Sequence, residues 1–256
     1  MQTTRDRLIA VGLQKVLESG WAATSIDVVL RECAVPKGSF YHYFASKEAF
    51  GYALLASYQA FFMGRLTKWL VLAPPQSLAD LQAAMEGFLA DAITGMQRHQ
   101  YQRGCLVGAL GQEVASLHEG FRAKLLGSLL EWEETLSSAL FTSVSSYQIY
   151  SDLKADKLQA TRLLQIQCDA WARDFWVAWE GAVLRSLLTR NPDALQAVVR
   201  GFLVQVALRP GLGAQPQHTA KPERKLPKKP TVDQKPKLRK SKKSIEINAM
   251  QAKLNF

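Results

Sequence analysis

Apolar residues recur at intervals of three and four along most of the chain, the spacing that places them on one side of an α-helix. The first such stripe, in residues 4–18, ends at Ser19-Gly20. The same pattern, with its capping and stop signals, predicts helices at about 26–32, 36–44, 47–72, 78–97, 105–115, 119–141, 156–190 and 193–208. No segment shows the alternation of a β-strand and no internal repeat is present. The pattern therefore predicts an all-α fold.

The second and third predicted helices lie close together in sequence. Ser25 is placed to cap the helix at 26–32, and Cys33-Ala34-Val35 is a short turn. Pro36 suits the first position of the next helix, in which Phe40 and Phe44 share one side. A helix, a turn of three or four residues and a second helix form a helix-turn-helix, whose second helix enters the DNA major groove.

The outer side of this second helix carries polar groups. Lys37, Ser39, Tyr41 and His42 are left there, and Gly38 would let a flat surface approach the backbone. An ordinary surface helix with exposed aromatic residues explains this face about as well as a DNA-reading helix. The capped helix and short turn that precede it favour DNA.

Residues 24–50 resemble the DNA-binding domain of the TetR family of repressors, through Lys-Gly-Ser-Phe-Tyr-His-Tyr-Phe followed by Ser-Lys-Glu. Ala34 and Pro36 depart from the family's usual Gly and Ser or Thr. The resemblance implies a dimer that reads two half-sites of a palindrome. It assigns Lys37 and Gly38 to base edges, with Ser39 on the same face, and the following residues to phosphates: Ser25, Tyr41, His42, Tyr43 and Lys47. Lysine can reach guanine O6 or N7, and hydroxyl and imidazole groups suit phosphate oxygens.

The resemblance extends over residues 4–208. Gly104-Cys105-Leu106 and the aromatic run that begins at Phe175 are similar to TetR-type repressors of acrylate utilisation. Repressors that sense N-ethylmaleimide and other electrophiles are more distantly similar. The resemblance implies a small-molecule inducer, either an acrylate-like acid or an electrophile. It also implies a homodimer formed by the helices at 156–190 and 193–208, whose small residues could equally pack inside one subunit (Ala170, Ala178, Gly181 and Ala182).

Cys105 is the candidate ligand-site residue with the most chemistry. It lies at the N-terminus of a predicted helix and follows Arg98, His99 and Arg103, and both a helix dipole and nearby cations lower the pKa of a thiol. The alternative is a small buried hydrophobic residue, which describes most free cysteines. Arg103, Trp132, Trp179 and Glu180 complete the predicted ligand site, although tryptophans at helical spacing are also typical of a plain core.

Charge is distributed unevenly along the chain. The net charge is +10, and residues 209–256 contain 13 basic and 3 acidic residues, whereas the first 208 residues contain 19 of each sign. The basic, proline-rich tail is predicted to be disordered and either attracts DNA without sequence preference or only increases solubility. The sequence thus predicts three regions: a helix-turn-helix domain at 1–48, a helical ligand-binding and dimerisation domain at 49–208, and the tail.

The remaining composition excludes several function classes. Three widely spaced cysteines suit a reducing compartment, and the N-terminus lacks an apolar signal region. The four histidines are scattered, without the spacing of a catalytic or metal site. We therefore expect a cytoplasmic protein that is not an enzyme and has no cofactor, no metal and no membrane segment.

Overall fold

The computed structural model describes residues 3–114, 119–145 and 157–208. Within these ranges the chain forms α-helices and no strand, which confirms the predicted all-α class. The helices are α1 (Thr4–Ser19), α2 (Ile26–Cys33), α3 (Lys37–Tyr43), α4 (Lys47–Leu66), α5 (Leu78–Arg98), α6 (Leu106–Val114), α7 (Glu119–Ser145), α8 (Lys157–Thr189) and α9 (Asp193–Ala207). The predicted tail and most of the predicted loop before residue 156 lie outside the described residues.

Side-chain caps fix where several helices begin. The hydroxyls of Ser25, Ser46 and Ser77 accept hydrogen bonds from the backbone N–H three residues later, so these predicted caps are confirmed. Thr3 and Asp6 form a capping box at α1. Pro36 was predicted to be the first residue of its helix. In the structure it is the N-cap residue, and α3 begins one residue later, at Lys37.

The first three helices pack around a small apolar core together with the start of α4. Phe40 is fully buried, and its ring lies 5.3 Å from Phe44 and 5.2 Å from Phe50. Gly12 of α1 lies directly against Phe50, where a Cβ atom would collide with the ring. These contacts fix the position of α3 relative to α1 and α4, so one face of α3 remains for solvent.

The turn between α2 and α3 requires a left-handed residue. Ala34 has φ 52° and ψ 46°, and its N–H bonds to carbonyl groups of α2. This is the position at which Ala replaces the Gly usual in the resembled family, so the chain retains the left-handed turn with a residue that favours it less.

The remaining helices enclose an aromatic core. α7, α8 and α9 pack against one another, and α5 contacts α7 and α9. The predicted helix at 47–72 is interrupted, because α4 ends at Leu66 and a π-helical turn, Thr67–Val71, follows. In that turn Lys68 and Trp69 both donate to Asp91 Oδ2 of α5 at 2.8 Å. No helix in the described ranges is long and apolar enough to cross a bilayer.

Candidate DNA-binding surface and effector cavity

The outer face of α3 is exposed, as the sequence pattern predicts. The side chains of Lys37, Tyr41, His42 and Tyr43 are all open to solvent, with 52% of Tyr41 exposed. A Cβ atom at Gly38 would meet nothing within 4 Å. A second molecule can therefore reach the backbone of α3 at Gly38 between donor-bearing side chains, which is the geometry that readout in a major groove needs.

Lys37 is paired with Asp27 of α2. Their side chains meet at 3.1 Å, and the carboxylate raises the pKa of the Lys37 ammonium. Both side chains are well exposed, and exposed ion pairs contribute little to stability. Lys37 can thus exchange Asp27 for a base or phosphate at small cost.

Three other predicted DNA contacts are placed less openly. Ser39 is half-buried, and Ser25 uses its hydroxyl to cap α2, although that residue is exposed. Lys47 Nζ donates to the Trp21 carbonyl at 2.9 Å and lies 4.7 Å from the centre of the Trp21 ring. Partial burial lowers the pKa of this amine. Lys47 therefore holds the joint after α1, and this bond leaves two of its three ammonium donors for a phosphate.

A cavity of about 80 Å³ lies between α4, α5, α8 and the segment 99–105. A buried water needs only about 10–15 Å³ on this kind of measure, so the space suits several waters or a ligand of a few heavy atoms. Most of the wall is apolar and aromatic. The lining residues are Leu17, Tyr58, Phe61, Phe62, Arg65, Ala92, Gly95, Met96, His99, Arg103, Gly104, Cys105, Trp179 and Val183.

Cys105 borders this cavity, but its electrostatic environment is opposite to the one predicted. Burial raises the pKa of its thiol well above the ordinary value, and the neighbouring Glu180 carboxyl raises it further. The N–H of Gly108 and the Tyr58 hydroxyl act in the other direction and are outweighed. The prediction of a stabilised thiolate is therefore wrong, because the loss of solvation exceeds the effect of the helix terminus.

The two arginines expected beside Cys105 are directed elsewhere, whereas His99 lines the same cavity. Arg103 lines the cavity but donates through Nε and Nη2 to Glu18 Oε1 of α1, the shorter contact being 2.8 Å. Arg98 lies in an outer groove with Lys68 and Asp91. Arg103 thus links the cavity wall to the DNA-binding part of the chain.

The other predicted ligand residues divide between the wall and the layer behind it. Trp179 lines the cavity. Trp132 does not: its ring lies 4.1 Å behind Phe62, and its Nε1 donates to Gln59. Glu180 packs against Gly108 and bonds to Cys105, and burial raises the pKa of its carboxyl. Its Oε1 atom has no hydrogen-bond partner among the described residues. Roles for these residues in ligand binding remain predictions.

Arg65 is a wall residue that the sequence interpretation missed. Its guanidinium carbon lies 5.8 Å from the centre of the Phe61 ring and 5.5 Å from that of Phe88, and burial lowers its pKa. A charged residue within the apolar run from Phe61 to Leu66 was the available signal. Tyr58 was also missed, since a tyrosine at helical spacing reads as core.

Glu113 forms a second link between the two parts of the molecule. It lies in the last turn of α6, and its two carboxylate oxygens accept hydrogen bonds from the N–H groups of Trp21 and Ala22 at 2.8 Å. These N–H groups belong to the joint between α1 and α2. Gly20 permits the contact, because it has φ 86° and a Cβ there would lie 2.7 Å from Glu113 Oε1.

Comparison with known proteins agrees with this architecture. Residues 8–51 match the model for bacterial regulatory proteins of the tetR family, and residues 82–202 match the tetracyclin repressor-like C-terminal domain. The transcriptional regulator AcuR of Cereibacter sphaeroides is 40% identical over 76% of this chain and 81% of its own. The repressor NemR of Escherichia coli is 28% identical over 75% of this chain and 88% of its own.

A solved structure of a regulatory protein TetR from Rhodobacter sphaeroides superposes with a TM-score of 0.65 at 35% identity, covering 78% of this chain and 97% of that one. The exposed recognition helix, the sequence matches and the shared fold lead to one identification. The chain belongs to the TetR family of DNA-binding transcription regulators.

Proposed function

We propose that this regulator binds a palindromic operator as a homodimer and is released when a small acid such as acrylate enters the cavity. The observation that carries the proposal is the position of α6. Its N-terminal end follows Cys105 in the cavity wall, and its last turn carries Glu113, which holds the joint between α1 and α2. One short helix thus connects the candidate ligand site to the DNA-binding helices.

Two further contacts support this coupling. Leu17 of α1 is itself part of the cavity wall, and Arg103 in the wall is paired with Glu18, the next residue of α1. A ligand that displaces the wall therefore acts on the end of α1 directly. It lowers operator affinity to the extent that it favours a spacing of the recognition helices that the operator does not.

The exposed faces of α8 and α9 support a homodimer. Val177, Gly181, Leu184 and Leu188 lie on one side of α8 at helical spacing, and all are exposed. A similar exposed row lies along α9 and just beyond its end, formed by Gly201, Val204 and Leu208. Exposed apolar side chains with glycines between them suit close helix packing against a second copy. Of the small residues predicted there, Ala178 and Gly181 are exposed, whereas Ala182 is buried within its own subunit.

The state of Cys105 favours reversible ligand binding over alkylation. An electrophile reacts with the thiolate, and burial beside Glu180 keeps this thiol protonated. The same small, largely apolar space accommodates a three-carbon acid without covalent chemistry. Of the two inducers implied by sequence resemblance, the acid therefore fits the cavity better than the electrophile.

An operator-release titration tests the proposal. The protein first selects its operator from randomised duplex DNA, and fluorescence anisotropy then follows the labelled operator as acrylate, propionate, acrylamide or N-ethylmaleimide is added. We expect reversible release by the acids, and a symmetric selected site. Selection of an asymmetric site, or release by N-ethylmaleimide alone, would contradict the proposal.

A further inference from the structure

Arg65 is half-buried between the cavity and the outer groove, and its guanidinium has an unused donor. Its Nη2 atom is shielded from solvent and has no hydrogen-bond partner among the described residues. A buried donor without a partner is costly, and a buried charge without a counter-ion is more so. The side chain borders the cavity, so a bound molecule can supply what the protein does not.

The neighbouring acids form no direct ion pair with Arg65 among the described residues. Asp91 is the nearby carboxylate that acts on its charge, but Asp91 Oδ2 already accepts from Lys68 and Trp69 at 2.8 Å. Glu18 is also occupied, because its Oε1 atom accepts a hydrogen bond from Arg103, the other arginine of the cavity wall. No ion pair of Arg65 occurs in the described part of the chain.

The position of the guanidinium is held by its surroundings. It lies near the faces of Phe61 and Phe88, which attract a cation and limit its movement. The π-helical turn Thr67–Val71 begins two residues later, and such turns occur often at functional sites. The hydrogen-bonded pair of Tyr58 and Cys105 lines the same cavity.

We propose that Arg65 is the anchor for the carboxylate of the effector, and that the ligand class is a short monocarboxylic acid. The carboxylate bonds to the Arg65 guanidinium, with the Tyr58 hydroxyl close by. The carbon chain lies against Phe62, Trp179 and Val183 on the apolar part of the wall. This assignment rests on the proposed function, because it places an anchor in the cavity through which release is proposed to act.

The charge of the ligand is then the main determinant of affinity. An acid neutralises a buried cation, whereas its amide of nearly the same shape leaves that cation unpaired. The volume of about 80 Å³ suits a short acid of a few heavy atoms. Arg103 is not the anchor, because its guanidinium stays with Glu18.

Calorimetric titration of the full chain without DNA tests the anchor. The probes are acrylate, propionate and the matched amides acrylamide and propionamide, each added to wild type, Arg65→Gln and the control Arg98→Gln. Wild type and Arg98→Gln should bind the acids alike and the amides about tenfold more weakly or not at all. Arg65→Gln should lose about tenfold or more in acid affinity, with no corresponding loss for the amides.

Two binding results would overturn the anchor: equal affinity of wild type for acid and amide, or unchanged acid binding by Arg65→Gln. If Arg65→Gln unfolds, which circular dichroism reports, Arg65→Lys takes its place, and equal affinity of wild type for acid and amide still overturns the anchor. Operator release is measured separately. If acids release the operator from Arg65→Gln as they do from wild type, the anchor fails while the proposed function stands.

Discussion

Lys37, the proposed base-reading residue, is paired with Asp27 in the free protein, so Asp27 competes with DNA for its ammonium group. The pair is exposed, so it orients the lysine without holding it firmly. If Lys37 reads a base as proposed, it exchanges this carboxylate for the acceptors of guanine. Affinity for DNA at this position is therefore the difference between two polar contacts.

Substitutions on α3 should separate base reading from phosphate binding. Lys37→Ala should weaken operator binding by about 1–3 kcal/mol and relax specificity at one base pair. Tyr41→Ala should weaken operator and random DNA to similar extents, since a phosphate contact carries no sequence information. Asp27→Asn should tighten both, because it removes a competing negative charge. Gel-shift titrations on operator and scrambled DNA measure all three, and unchanged operator affinity in both alanine variants would exclude α3 as the reader.

The buried carboxyl of Glu180 should make stability depend on pH. Its pKa is raised in the folded protein above the ordinary value of 4.5, so the folded state holds this proton more tightly than the unfolded state. Stability from this group is complete below pH 4.5 and is lost as pH rises through the raised pKa. Glu180→Gln mimics the protonated form. It should therefore become more stable relative to wild type as pH rises from 4.5 through the raised pKa.

Urea unfolding at a series of pH values measures this difference. Glu86→Gln is the matched control, because Glu86 is an exposed helical glutamate. Glu180→Gln should gain more stability over wild type than this control does as the pH rises. An equal effect of both substitutions at every pH would show that Glu180 titrates alike in the folded and unfolded protein.

At the residue scale, the sequence predicted which side chains are exposed better than it predicted which groups they contact. The face formed by Lys37, Gly38, Tyr41 and His42 was predictable, since it needs only helical periodicity. The raised pKa of the Cys105 thiol was not, because Glu180 lies 75 positions away in the chain. Arg65 was overlooked because its proposed role rests on an unpartnered Nη2 atom, which a sequence does not display.

At the scale of elements, α6 has two ends with different tasks. Cys105 at one end meets the cavity, and Glu113 near the other accepts from two backbone N–H groups of the joint between α1 and α2. Bonds to a charged acceptor are stronger than neutral ones. We therefore expect a displacement of α6 to be transmitted to the DNA-binding helices through these bonds.

Glu113→Ala should disconnect the cavity from the DNA-binding helices. Loss of the two hydrogen bonds should reduce the free energy of unfolding by about 1–3 kcal/mol. Acid affinity should persist, while the shift in operator affinity caused by the acid becomes smaller. Gln112→Ala, at the exposed neighbouring position, is the control. If Glu113→Ala releases the operator as wild type does, this contact does not transmit the signal.

Element boundaries could largely be predicted from the sequence. The serine caps at α2, α4 and α5 gave their first residues, and Gly20 gave the end of α1. The π-helical turn after Leu66 could not be predicted, because it depends on Lys68 and Trp69 reaching Asp91 of a neighbouring helix. Helix periodicity carries no information about such a contact.

At the scale of the whole molecule, the exposed apolar face of α8 and α9 determines the predicted assembly. A charged residue at its centre should separate the subunits. Leu184→Asp should give a monomer in sedimentation equilibrium and lose operator affinity by about tenfold or more, because the two half-sites are no longer read together. Leu72→Asp, a control at another exposed leucine, should remain dimeric. A dimeric Leu184→Asp would place the interface elsewhere.

The coupling of acid and operator through one cavity is the central claim, and thermodynamic reciprocity tests it most directly. If acrylate lowers operator affinity by some factor, saturating operator must lower acrylate affinity by the same factor. The measurement is acrylate affinity of the wild-type protein, free and bound to its selected operator. We predict weaker acrylate binding to the operator complex, by the factor seen in the reverse titration. Equal acrylate affinity with and without the operator would contradict the account.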